Sequence, residues 1–319
     1  MTSTVPTRRV GSSDLHVSQL SLGSWHTYDR MDFAEAVTVL KRAIDAGITL
    51  FDVAVYAHPD MPPTFTDVIF SAMVRAAGLA REDYQVSAKL WINAFGEEGF
   101  RPQLTNAFLR AGIDHADMAI LGDLQRDDVT LQELVLDLGR LTQEGLIGEW
   151  GVNNWSATNV RRLRELAAEH GVRPPQIAQL KYSVARRAIP DGEPFGQLFA
   201  DGFSMQASDI FEGGILAGRP PQSRQIGRDP GGIREDIISS AAGVARVAEE
   251  IGCTPAQLCL AFTLAHPANA TTLFGTTRLE QLEQNLGALD VLERVGAQQL
   301  RDLVTPFWAD KGKVDPEGP

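Results

Sequence analysis

Asp52, Tyr56 and Lys89 fall at the ends of two apolar runs roughly one strand–helix unit apart. The first run is Gly47-Ile-Thr-Leu-Phe-Asp-Val-Ala-Val-Tyr56 and the second is Val-Ser-Ala-Lys89-Leu-Trp91. Ile48 to Val55 is apolar and β-branched almost throughout, which reads as a strand buried on both faces, as in a parallel sheet. Val86 to Leu90 reads the same way. Ionisable groups that end such strands stand at the rim of a hydrophobic core, where parallel α/β proteins build their sites. A phenol beside an ammonium is a proton-donating arrangement, because the positive charge lowers the cost of forming tyrosinate. The plainer alternative is a buried Asp–Lys pair that only ties two strands together.

The rest of the chain has to position these groups, and its composition narrows how. The 319 residues are 44% hydrophobic and 22% charged, the range of a globular protein with a sizeable core. Net charge is −12, from 29 basic and 41 acidic residues, with no basic block, which argues against a nucleic-acid ligand. An anionic ligand would need local cations or helix N-termini. Cys253 and Cys259 lie in one helical stretch and read as small core residues of a reducing compartment, with no disulfide and no metal pair. No apolar run reaches the ~18 residues of a membrane span and no signal-peptide core opens the chain, so the expectation is a cytoplasmic protein.

Eight strand-like runs alternate with helical patterns. They are Gln19–Trp25, the run ending at Asp52, Gln85–Trp91, Asp117–Asp123, Gly148–Asn154, Ile177–Ser183, Phe203–Ile210 and Thr271–Thr277. Helical patterns include Thr130–Glu144, Ala157–His170, Ile237–Ile251 and Leu279–Leu289. A further helix opens on a capping-box-like Asp32-Phe-Ala-Glu35 and stops at Gly47. Eight alternations without a long linker predict an α/β fold, a (β/α)8 TIM-type barrel, with residues 1–319 as a single barrel domain. A doubly wound sheet would show a Gly-rich turn after its first strand, and Gly23-Ser24-Trp25-His26 is not one. Thr7 to Val17 reads as an N-terminal β-hairpin closing the barrel bottom, and Pro220 to Gly232 as a mobile loop over the mouth.

With these residues placed, the chain resembles the aldo-keto reductase superfamily over almost its whole length. The matching segments include Arg9-Val-Gly-Ser-Ser-Asp-Leu-His-Val-Ser18, Leu22-Gly-Ser24, Gly47-Ile-Thr-Leu-Phe-Asp52 and Ala88-Lys89. They continue through Leu141 to Trp155, Gln179 with Tyr182, and Phe274-Gly-Thr-Thr-Arg278 running on to Asn285. The resemblance implies NADPH bound extended across the barrel mouth and an Asp–Tyr–Lys–His tetrad. Carried over, Asp52 and Lys89 fit the tetrad's ion pair and Tyr56 its proton donor. The family places that tyrosine five residues after the aspartate, whereas here the interval is four. The tetrad histidine has no counterpart, because the strand that would end in it reads Asp117-Met-Ala-Ile-Leu-Gly122-Asp123. The space at Gly122 is left to substrate, water or another residue, and a larger substrate is the expectation. Asp123 is assigned to the rim.

The resemblance also implies cofactor contacts. Asn153, Asn154 and Gln179 would hold the nicotinamide carboxamide, with Ser208 beside it. Gly23, Ser24 and Trp25, which end the first strand run, are assigned to the cofactor as well. Gly275 and Thr276 would open a helix N-terminus to a phosphate, with Thr277, Arg278, Gln281 and Asn285 at the adenosine phosphate. The aromatic that would stack on nicotinamide is replaced by Ala207, and Phe211 can compensate. His26, Trp91, Gly122 and Trp155 are the expected substrate pocket. No metal is expected, and no role is assigned to His16, His115, His170 or His266.

The reading is therefore an NADP-dependent oxidoreductase that delivers hydride to a carbonyl or activated alkene of a small or medium organic molecule. Two alternatives stay beside it: a repurposed barrel that keeps NADP for elimination, isomerisation or internal redox, and a non-catalytic NADP-binding subunit. The expected partner is a small-molecule substrate, with no nucleic acid and no membrane. Nothing in the sequence assigns an oligomeric state.

Overall fold

A computed structural model describes residues 4–58, 61–124, 126–221 and 229–319. An antiparallel hairpin, β1 (Thr7–Arg9) and β2 (His16–Ser18), precedes the barrel. The barrel strands are β3 (Leu20–Gly23), β4 (Leu50–Val53), β7 (Gln85–Leu90), β8 (Ala116–Leu121), β9 (Ile147–Asn153), β10 (Ile177–Lys181), β11 (Ser204–Ser208) and β12 (Asn269–Phe274). They close in that order, β12 returning to β3, and all adjacent pairs are parallel. Between β4 and β7 stands a second hairpin, β5 (Val55–His58) with β6 (Met61–Phe65).

Helices pack outside the strands. They are α1 (Phe33–Asp45), α2 (Thr66–Ala77), α3 (Arg101–Ala111), α4 (Leu131–Gln143), α5 (Ala157–His170), α6 (Glu193–Ala200), α7 (Ile233–Glu250), α8 (Pro255–Leu264) and α9 (Leu279–Leu286). Two more, α10 (Ala288–Val295) and α11 (Ala297–Leu303), follow. The α1 start is capped by Asp32, whose carboxylate accepts from the N–H groups of Ala34 and Glu35. Thr130 and Glu133 form a reciprocal capping box on α4. Among the described residues no helix is long and apolar enough to cross a membrane.

The barrel interior at the bottom is an apolar plug of Leu50, Met118, Ile120, Ile177 and Ala270, and the hairpin adds Val10 and Val17 to it. The hairpin thus closes the bottom because its own apolar residues complete the plug. Gly11 makes this contact possible: its φ is +57°, and a Cβ there would lie 2.4 Å from Gln176 Oε1.

Three element boundaries differ from the sequence pattern. The barrel strand predicted to run to Val55 stops at Val53, since Thr66 Oγ1 donates to the Ala54 carbonyl at 2.6 Å and the chain turns into β5. The helix expected over Leu279–Leu289 breaks at Gly287 into α9 and α10. Cys253 lies in the turn before α8 while Cys259 is buried within it, and both are free thiols. Of the loop expected over Pro220–Gly232, residues 222–228 lie outside the described residues.

His266, to which the sequence assigned nothing, is buried against the Tyr182 and Phe199 rings and faces Asp191 at 3.6 Å. Burial pushes its pKa down to about 4, against Asp191, which favours the charged form. The unfolded chain takes up this proton near the ordinary value of 6.5, so between those values the unfolded state holds more protons and stability falls as pH falls. The loss approaches roughly 3 kcal/mol by pH 4. A His266→Gln variant, followed by urea unfolding between pH 7 and 4.5, is expected to show a flatter decline than the wild type; an identical slope would remove His266 as its source.

Candidate functional site

The C-terminal ends of the strands surround a cavity of about 520 Å³. Along each strand alternate residues face inward. Two positions beyond the plug residue Leu50, Asp52 therefore enters the barrel, and Lys89 enters from β7 beside it. Both are buried and both border the cavity floor. Their charges stand 3.9 Å apart, and the Gln179 amide links them: Lys89 Nζ donates to Gln179 Oε1, while Gln179 Nε2 donates to Asp52 Oδ2 at 3.3 Å. Gln179 Nε2 also reaches Gln206 Oε1 at 2.8 Å. Gln179 lies in the wall as expected, but its amide is engaged in holding the lysine. Burial lowers the Lys89 pKa below the ordinary lysine value, opposed by Asp52, Asp123 and Asp209.

The wall over β8 departs from expectation. At Gly122 a Cβ would lie 2.6 Å from Trp91 Cε3 and 3.0 Å from Cζ3, so the indole already occupies the space a side chain would need. The space is not left open for a larger substrate. Trp91 is fixed on several sides: its Nε1 donates to the Val55 carbonyl at 2.9 Å, and its backbone N–H donates to Gln103 Oε1 at 2.7 Å. Trp155 lies behind Gly122, wholly buried, with Nε1 donating to the Gly122 carbonyl at 2.9 Å. Trp91 and His26 border the cavity, whereas Trp155 and Gly122 support the wall from behind. Asp123, read from sequence as rim, borders the cavity and accepts from Asn153 Nδ2.

Tyr56 pairs with Thr64 in the mouth hairpin and not in a barrel strand. The four-residue interval therefore does not impose a barrel-strand face on it. Its side chain, like those of Ala57 and His58, lies outside the described residues.

Of the residues expected to hold a cofactor, Gly23 and Trp25 border the cavity, as do Asn153, Asn154 and Ser208. Ser24 does not: it is fully buried, its hydroxyl 2.7 Å from Thr66 Oγ1 and its N–H donating to the Asp52 carbonyl, so it braces the strand ends. Gly275, Thr277, Gln281 and Asn285 line the far end as expected, together with Gln284. Thr276 is buried and donates to the Arg278 carbonyl. The helix here begins at Leu279 with Arg278 as an exposed N-cap, so Gly275 and Thr276 precede the helix instead of opening it. The Leu279 N–H already meets Glu35 Oε1 at 3.3 Å. Ala207 is fully buried, whereas Phe211 borders the cavity.

Sequence reasoning missed Arg30, Lys181, Asp209 and Arg219, all of which border the cavity. Arg219 carried a legible signal, being a basic residue that opens the Gly-, Pro- and Arg-rich segment of an acidic chain. Backbone strain marks the same mouth. Among the described residues, the non-glycine residues with positive φ are His26, Asn154, Asp209 and Glu212, and the first three line the cavity. Such conformations cost on the order of 1–3 kcal/mol each and persist where the surroundings hold them. Glu212 is held by Arg186, two contacts of 3.1 Å, and by Ser183 Oγ at 2.9 Å; burial raises its pKa against the pull of Arg186. Among the described residues, no group of three or more His, Cys, Asp or Glu is placed to hold a metal ion.

The sequence profile of the Aldo/keto reductase family matches residues 19–302. Two similar proteins are named as voltage-gated potassium channel subunit beta. The one from Schizosaccharomyces pombe is 26% identical, covering 94% of this chain and 92% of the relative. That from Oryza sativa subsp. japonica is 27% identical, covering 95% and 94%. A crystal structure named as a 2,5-diketo-D-gluconic acid reductase B superposes with a TM-score of 0.70 over 93% of this chain and 90% of the other, at 17% identity, which is a likeness of fold.

Proposed function

From a chain that belongs to the aldo/keto reductase family, whose members are nicotinamide-dependent oxidoreductases, we propose an enzyme that reduces a carbonyl or activated alkene of a small or medium organic molecule, with NADPH as reductant. The observation that carries this reading is the buried Lys89–Gln179–Asp52 network under a cavity that continues without a break to Gly275, Thr277 and Asn285. The residues present fit a dinucleotide: amides of Asn153 and Asn154 at the inner end, the Phe211 ring along the wall, and Arg219 among the polar residues that line the cavity. When bound, a reduced nicotinamide supplies two electrons and a hydrogen to the substrate carbon.

The chain's own residues handle the proton and the charge. Lys89 places a positive charge beneath the substrate oxygen and stabilises the oxyanion formed there. Asp52, through Gln179, keeps that lysine in place. Tyr56 or a bound water delivers the proton. Trp91, Asp123 and Asn153 form the substrate wall.

A second reading is favoured by the names of the relatives: a nicotinamide-binding subunit of a larger assembly. Steady-state NADPH oxidation with a panel of aldehydes, ketones and quinones separates the two. Multiple turnover with at least one carbonyl is expected; tight NADPH binding with no turnover across the panel would favour the second reading.

A further inference from the structure

Just beyond β11 three consecutive residues, Glu212, Gly213 and Gly214, have left-handed backbone, with φ of +49°, +72° and +98°. Glycine adopts this region freely, whereas a glutamate is strained there. Gly213, Gly214 and Arg219 border the cavity. The stem of Arg219 lies across Gly214, where a Cβ would meet Arg219 Cδ at 2.7 Å and Cβ at 3.2 Å. The Arg219 N–H also donates to the Gly214 carbonyl at 2.9 Å. The course of Arg219 along the cavity wall is thus set by the left-handed run beneath it.

The side chains that hold this run stand behind the wall, since Glu212, Ser183, Arg186 and Asp229 do not border the cavity. The buried Glu212 carboxylate accepts from Ser183 Oγ at 2.9 Å and twice from the Arg186 guanidinium at 3.1 Å. Arg186 is buried as well and donates to Asp229 Oδ1 at 2.8 Å. Its own loop is fixed in turn. Ser183 Oγ accepts the N–H groups of Ala185 and Arg186, and the buried Asp310 carboxylate accepts those of Arg187 and Ala188. Burying these charges costs desolvation that their attraction only partly returns, and the strained glutamate adds to that cost. What the network supplies is one fixed shape for the wall.

We propose that Glu212 and Arg186 are positioning residues for a dinucleotide phosphate: their ion pair fixes the left-handed run, the run fixes Arg219, and Arg219 meets the phosphates. The proposal rests on the NADPH reading above. The planar guanidinium engages Glu212 through two N–H groups, so the tie sets orientation as well as charge.

Glu212→Gly removes the tie but leaves a residue at home in the left-handed region, so the fold survives. In isothermal titration it weakens NADPH and NADH alike by about tenfold. Arg186→Lys, a milder change that keeps the charge and loses the fork, weakens both by about threefold. In an Arg219→Ala background Glu212→Gly adds less than about twofold, because the residue it positions is gone. A readout without ligand is hydrogen exchange at the Leu216 and Arg219 amides, which close on the Phe211 and Gly214 carbonyls. Exchange there is about tenfold faster in Glu212→Gly than in the wild type. Unchanged exchange, wild-type affinities in both single variants, or an equal loss in the Arg219→Ala background would overturn the positioning role and leave the oxidoreductase reading intact. A wild type that binds neither cofactor would remove that reading and this role together.

Discussion

Lys89→Met is expected to lower turnover by about three decades or more while the protein still binds cofactor. The methionine keeps the buried stem and removes the charge, and in the proposed reaction it is the charge that stabilises the developing oxyanion. The variant also leaves Asp52, 1% exposed, without the Lys89 ammonium, while Gln179 Nε2 still donates to it. Removing one member of a buried pair typically costs about 3–5 kcal/mol, so a lower Tm is expected alongside the lost rate. Lys89→Met/Asp52→Asn separates the two effects: it removes the carboxylate's charge as well, recovers most of the stability and stays inactive. Steady-state rates and thermal melts of both variants check this. Near-wild-type rates in Lys89→Met would leave Asp52 and Lys89 as a structural tie between β4 and β7.

If the proposed cofactor is right, Arg219 and Arg278 should separate cleanly in binding. Arg219 borders the cavity and Arg278 stands exposed at the α9 N-cap, beside Thr277 and Gln281. Under the proposed function, Arg219 is expected to meet the pyrophosphate, which NADPH and NADH share, and Arg278 the 2′-phosphate, which only NADPH carries. Charge-assisted hydrogen bonds contribute roughly 1.5–3 kcal/mol, one to two decades in Kd. Arg219→Ala should weaken both cofactors by that amount, and Arg278→Ala should weaken NADPH alone. Glu35 makes the second effect sensitive to its surroundings, because its carboxylate already takes the Leu279 N–H. Isothermal titration of both cofactors decides the matter; equal wild-type affinities for NADPH and NADH would remove the 2′-phosphate role.

The barrel was legible because parallel strands buried on both faces are long apolar runs, and eight of them alternate with amphipathic helices. The α5 bounds, Ala157–His170, follow from a serine N-cap and a glycine stop on either side of a clear stripe. Asp52 and Lys89 were legible for the same reason, as charges ending apolar strands. What the pattern concealed was the mouth. The β5–β6 hairpin has no alternation to announce it, since Met61-Pro-Pro-Thr-Phe65 carries two prolines and reads as loop. Gly122 offers no side chain, and the space beside it is taken by Trp91, just past the end of the neighbouring strand β7, a contact no local pattern encodes. Ser24 and Trp155 follow strand ends just as Trp25 and Asn154 do; only tertiary packing turns the first two inward to brace the site and the other two toward the cavity.

The most direct test of the account is the fate of the hydrogen at nicotinamide C4. The wild type, supplied with NADPH deuterated at that carbon and an electron-poor aromatic aldehyde, should form one alcohol per cofactor oxidised, with deuterium on the carbinol carbon read by mass spectrometry. Alcohol without deuterium, or a cofactor that stays reduced while substrate is converted, would contradict hydride transfer in this cavity.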